Sequence, residues 1–176
     1  IKHRVLNEFL LFSKDKPQYD ADLEKAIAYF DNDKEVKVNK EIGKFFYAKK
    51  NWSKSARFFE NHLKSNPDDM EATQLLLQAY TENKQFDVLS KKATETIDLY
   101  PMQPQLYYYA GLGYNQIANF KKAKEFLEMG LDYLVDDIAL EINFNIQLGE
   151  AYAGLGDTKK KETYFAKAEK LLKQKK

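Results

Sequence analysis

The stretch LYYYAGLGYNQIANFKKAKEFLEMGLDYL, residues 106–134, carries the pattern on which the fold rests. It reads as one helix-turn-helix unit, and its spacings recur along the chain. Gly43, Leu77 and Gly111 lie 34 residues apart, as do Phe46, Tyr80 and Tyr114, and again Trp52, Phe86 and Phe120. Pro67 and Pro101 share the interval, each where a second helix should stop before the next hairpin. Three independent columns with one period describe stacked helical hairpins. Two short helices cannot bury both faces alone, so small residues allow close crossing and aromatic residues fill the space between hairpins.

Outside the regular region the pattern loosens. Residues 1–35 hold two amphipathic runs, with Val5, Leu6, Phe9, Leu10 and Phe12 in the first and Leu23, Ala26, Ile27 and Phe30 in the second. The intervening KDKPQYD breaks the spacing, and Asp20 is expected to cap the second helix. This is an irregular first hairpin. At the other end Gly149 lies 38 residues beyond Gly111, after which Tyr152, Gly156, Phe165 and Ala168 follow in order. Four inserted residues amount to about one helical turn, so either the first helix is lengthened or its preceding loop is. Lys161 takes the column where a small residue would favour close packing.

Composition narrows the function classes. A 44% apolar, 31% charged chain with 12 Tyr and 12 Phe folds rather than stays disordered. A net charge of +1 gives no global field for nucleic acid or an anionic membrane. Zero cysteines exclude disulfides, thiolate metal sites and cysteine nucleophiles, while leaving the compartment undecided. No apolar run approaches the roughly 18 residues of a membrane helix. The chain begins with Ile rather than Met, which suggests a segment of a longer protein with any targeting sequence removed.

A 34-residue period with these residue types resembles the tetratricopeptide repeat. Residues 36–69 match that family's pattern at Ile42, Gly43, Phe46, Phe59 and Pro67, with Ser55 in the small-residue column. Residues 70–103 match at Leu76, Tyr80 and Pro101, with Leu77 and Ala93 departing from the usual sizes. Residues 104–137 match at Tyr107, Gly111, Tyr114 and Ala123, with Leu127 where an aromatic is usual and Val135 where proline is. Residues 138–176 form the extended last copy. The resemblance implies an all-α, right-handed α-solenoid of antiparallel helix-turn-helix repeats in a single domain.

Motifs of chemistry are scarce. His3 and His62 are the only histidines and belong to no metal-binding motif, so no metal and no catalytic role is assigned. The GxG pairs at Gly111 and Gly113 and at Gly154 and Gly156 extend to neither a dinucleotide nor a phosphate loop, so no cofactor is expected. In the repeat frame Gly111 gives helix clearance and Gly156 a turn. One acid of Asp68-Asp69 and one of Asp136-Asp137 should cap the following helix. Residues 157–176 hold eight lysines against three acids, a local charge of +5 read as a solvated terminal helix. An enzyme reading requires a catalytic domain outside this chain.

In the family, the first helix of each hairpin lines a concave groove. The resemblance therefore places Lys37, Lys40, Lys44, Tyr47, Gln74, Gln78, Gln105, Tyr108, Asn115, Gln116 and Asn143 on a peptide-binding surface, with Thr81 and Glu150 beside them. Lysines would draw an acidic partner, and amides would pair with the backbone of an extended segment. Some members clamp a C-terminal carboxylate; Lys40 fits that set, whereas Lys44 and Gln78 stand where asparagines belong, so such a ligand is not expected. The function implied is a non-catalytic scaffold for a protein or peptide partner, without nucleic acid or membrane insertion. The alternative is a structural or regulatory segment of a larger protein, such as a cell-envelope protein, that packs on its own neighbouring domains or self-associates through the ends of the stack.

Overall fold

The structure is a computed structural model that describes residues 1–30 and 38–174. The described residues are all-α, without strands. Helices α1 (Lys2–Ser13) and α2 (Asp20–Ala28) are linked through a 3-10 turn at Pro17–Tyr19. Then follow α3 (Asn39–Ala48), α4 (Trp52–Ser65), α5 (Met70–Glu82), α6 (Phe86–Leu99), α7 (Pro104–Gln116), α8 (Phe120–Asp132), α9 (Ile138–Gly154) and α10 (Thr158–Gln174). They form two compact units, Ile1–Asn83 and Lys84–Lys176.

The short turns share one design. Lys50, Lys84, Ala118 and Gly156 occupy a single sequence column and all take positive φ, from 55° at Lys50 to 79° at Gly156. Only the last is glycine, the residue that reaches this region without a Cβ penalty. In three of these turns the next amide closes back on the preceding helix, from Asn51 to the Phe46 carbonyl, Asn119 to Tyr114 and Asp157 to Tyr152, at 2.8–3.0 Å. The same next residue also opens the following helix, since the side chains of Asn51, Asn119 and Asp157 accept from the amides of Lys54, Lys122 and Lys160. Asp69 and Asp137 likewise cap α5 and α9 through the Ala72 and Leu140 amides. Such caps are worth about 1 kcal/mol each. Asp20 departs from its expected role: the 3-10 turn makes it the first helical residue, and its carboxylate accepts from Lys49 instead.

In the first unit Leu6, Leu10, Leu23, Ile27, Val38, Ile42, Phe46 and Phe58 form one buried cluster. Phe46 stacks on Phe58 with centroids 5.7 Å apart. A Cβ on Gly43 would come within 2.8 Å of the Phe59 ring, so glycine sets the α3–α4 crossing. Ser55, in the small-residue column, donates its hydroxyl to the Gly43 carbonyl at 2.9 Å.

In the second unit α6 packs on α7, α7 on α8 and α9, α8 on α9, and α9 on α10. The glycine relation recurs, Gly111 lying against Leu127 and Gly149 against the Phe165 ring, where an added Cβ would meet atoms at 2.3 and 2.5 Å. Phe165 closes the last crossing although Lys161 fills the small-residue column. Helix α9 has 17 residues where α7 has 13, so the four inserted residues lie in the helix and add about one turn.

Candidate functional site

In the first unit the lysines on α3 are already engaged. Lys40 Nζ lies 2.7 Å from Asp69 and 2.8 Å from Glu71, and Lys44 Nζ lies 2.7 Å from Glu71. His62 Nε2 completes the cluster at 2.9 Å from Asp69. Burial alone would raise the Asp69 carboxyl, but the bonds from Lys40, the Ala72 amide and His62 outweigh it and hold the group far below its ordinary range. Hydrogen bonds from Lys40 and Lys44 lower Glu71 as well. Burial pushes Lys40 down and is outweighed by its bonds to Asp69 and Glu71, so its net shift is upward. The charges expected to attract an acidic partner thus fasten α3 to the start of α5.

Tyr47 is half-buried, edge-on to Trp52 at 5.1 Å. Gln74 and Gln78 are exposed on α5. Thr81 turns back to the Leu77 carbonyl at 2.9 Å. Lys37 lies outside the described residues.

The second unit brings a different set together. Gln105, Tyr108, Asn115 and Gln116 follow one face of α7 at helical spacing, and Asn143, Gln147 and Glu150 follow one face of α9. Gln116 and Asn143 are exposed, while Gln105, Tyr108 and Glu150 are half-buried. Asn115 is not a surface residue: only 7% exposed, it gives its amide to the Gln147 carbonyl at 2.9 Å and to Gln147 Oε1 at 3.0 Å. The side chain is used to join α7 to α9, and its own Oδ1 receives no donor among the described residues.

Gln147 lies one turn before Glu150 on the same face of α9. Burial raises the Glu150 carboxyl, and hydrogen bonding by Gln147 offsets part of that rise. Tyr108 is raised by burial and then by the Glu150 charge beside it. Its ring packs edge-on to Phe144 at 6.1 Å. Gln147 was invisible to the repeat frame because it falls one residue outside the columns assigned to the groove. The usable signal was its spacing from Asn143 and Glu150, four and three residues away, which puts all three polar side chains on one face of the helix.

Among the described residues no group of three or more His, Asp or Glu side chains is placed to hold a metal ion. Nor is any helix among them long and apolar enough to cross a membrane.

Neither a protein-family model nor a curated protein matches the sequence. Solved structures of MamA do match in three dimensions. A MamA crystal structure superposes with a TM-score of 0.75 at 19% identity, covering 99% of this chain and 93% of that one. MamA residues 41 to the end from Desulfovibrio magneticus RS-1 give 0.73 at 18%, covering 98% and 96%. MamA of strain AMB-1 gives 0.71 at 13%, covering 96% and 98%. What is shared at these identities is the fold: an all-α, tetratricopeptide-like repeat of helical hairpins.

Proposed function

We propose that this chain is a non-catalytic interaction scaffold that holds an extended peptide or protein segment against the α7 and α9 faces of its second unit. The observation that carries this reading is the juxtaposition of Gln105, Tyr108 and Gln116 on α7 with Asn143 and Glu150 on α9, joined underneath by Asn115 and Gln147. Exposed amides pair with the backbone of a bound strand, and a half-buried tyrosine offers apolar area with little side-chain entropy to lose. The repeat fold is consistent with such a role, because stacked hairpins build extended binding surfaces. In a test, Gln116→Arg with Asn143→Arg should abolish retention of co-purifying partners while leaving the melting temperature within a few degrees. Glu125→Arg, exposed on α8, should leave retention intact. Equal retention by both variants would count against the reading.

A second reading draws on the N-terminal hairpin. Ile1, Val5, Leu6, Phe9, Tyr29 and Phe30 line an apolar cleft of about 550 Å³, with Val5 56% and Tyr29 89% exposed. Such a face suits packing on a neighbouring domain or a second copy. Concentration-dependent sedimentation that disappears in Tyr29→Glu would favour self-association; a monomer at every concentration would oppose it.

A further inference from the structure

We propose that Glu150 and Tyr108 form the specificity pocket of this surface and receive a cationic side chain, arginine or lysine, from the bound segment. The proposal rests on the scaffold reading and names the chemistry of the partner. Its first ground is charge. Helices α7 and α9 contain no lysine or arginine, and their only ionisable acids are Glu141 and Glu150 on α9. Glu141 lies on the opposite side of α9, nine residues from Glu150, so Glu150 is the one charged side chain these two helices give to the face they share, and its charge is negative.

The second ground is the direction of the hydrogen bonds. Asn115 donates to Gln147 Oε1, which leaves the Gln147 amide group as a donor one turn before Glu150 on the same face of α9. A carboxylate has about four lone-pair sites, so Glu150 has acceptor capacity to fill. Among the described residues the neutral Gln147 is the one side chain whose hydrogen bonding lowers its carboxyl. Elsewhere, half-buried carboxylates are satisfied by lysine, imidazole or hydroxyl partners: Asp69 by Lys40 and His62, Glu128 by Tyr152. Glu150 has no ion-pair partner among the described residues.

The third ground is the neighbour. Tyr108 is half-buried on α7, within range of the Glu150 charge that raises its hydroxyl, and its ring is held edge-on by Phe144, so the aromatic position is fixed before any ligand arrives. A carboxylate next to an aromatic ring suits a guanidinium, which pairs with the acid and stacks on the ring. A lysine ammonium satisfies the acid alone. An acidic segment would place like charge against a carboxylate that is already incompletely solvated.

A phage-displayed library of random 12-residue peptides, panned on the full chain and on Glu150→Gln, tests this. Glu150→Gln keeps the shape and the Gln147 contact, and its melting curve confirms that it is folded. The intact chain should enrich peptides with arginine or lysine at one fixed position, and that preference should vanish on the variant. For a selected peptide, replacing that arginine by citrulline should weaken binding by at least about tenfold in the intact chain and should have no further effect in Glu150→Gln. Enriched peptides without a basic position, or a basic preference unchanged by Glu150→Gln, would overturn the proposal while leaving the scaffold reading in place. Enrichment by neither protein would overturn both.

Discussion

At the scale of single residues, the glycines show how little tolerance the hairpin crossings have. A Cβ at position 111 would sit 2.3 Å from Leu127 Cγ and 2.5 Å from Cδ2, at the branch point of a fully buried side chain rather than at a flexible tip. Gly111→Ala should therefore cost about 1–3 kcal/mol by overpacking, despite the better helix propensity of alanine. In urea unfolding, Gly111→Ala combined with Leu127→Ala should be less destabilised than the sum of the singles. Strict additivity would mean that these two residues do not set the crossing.

Charge at position 69 makes a separate claim. The Asp69 carboxyl lies below its ordinary value of 3.8 in the folded chain, so its contribution is fully present above that pH and fades as pH falls through the folded value. Glu71 acts in the same direction, starting from 4.5. The raised Glu150 carboxyl acts oppositely, favouring the folded chain at low pH and losing that contribution as pH rises from 4.5 through its folded value. Asp69→Asn should accordingly flatten the acid limb of stability against pH, read as urea midpoints from neutral pH downward. A limb parallel to that of the parent protein would contradict the assignment.

At the scale of elements, the tyrosine column does more than fill space. Tyr80 donates its hydroxyl to Glu60 at 2.7 Å, Tyr152 donates to Glu128, and the Tyr114 hydroxyl lies 3.5 Å from Thr94. Each link joins the first helix of a hairpin to the second helix of the one before, across 20 residues, or 24 after the four-residue insertion. Tyr80→Phe keeps the ring but leaves Glu60 without this donor. It should lower stability by about 0.5–1.5 kcal/mol, and Glu60→Gln should remove most of that difference in a double-mutant cycle. No change in Tyr80→Phe would show the hydroxyl contact to be incidental.

At the scale of the molecule, the hairpins were legible because glycine, aromatic and proline columns at one period report packing that repeats. The turn column at Lys50, Lys84 and Ala118 was not, since only Gly156 carries the residue type that advertises a positive φ. Candidate site residues were less legible for the same physical reason: the repeat frame says which way a position faces but not what its side chain meets there. Lys40 and Lys44 face outward in that frame and are taken by Asp69 and Glu71. Asn115 is drawn under the surface by Gln147, and Tyr108 and Glu150 remain half-open on it.

The central claim is that a partner segment lies along α7 and α9, and photo-crosslinking from those helices tests it most directly. With benzoylphenylalanine placed singly at Gln116, Asn143 or Glu125, all exposed, ultraviolet irradiation of the protein with its co-purifying partners should give the same crosslinked peptide from 116 and 143 and none from 125. Crosslinks from 125 alone, or unrelated peptides from 116 and 143, would contradict the account.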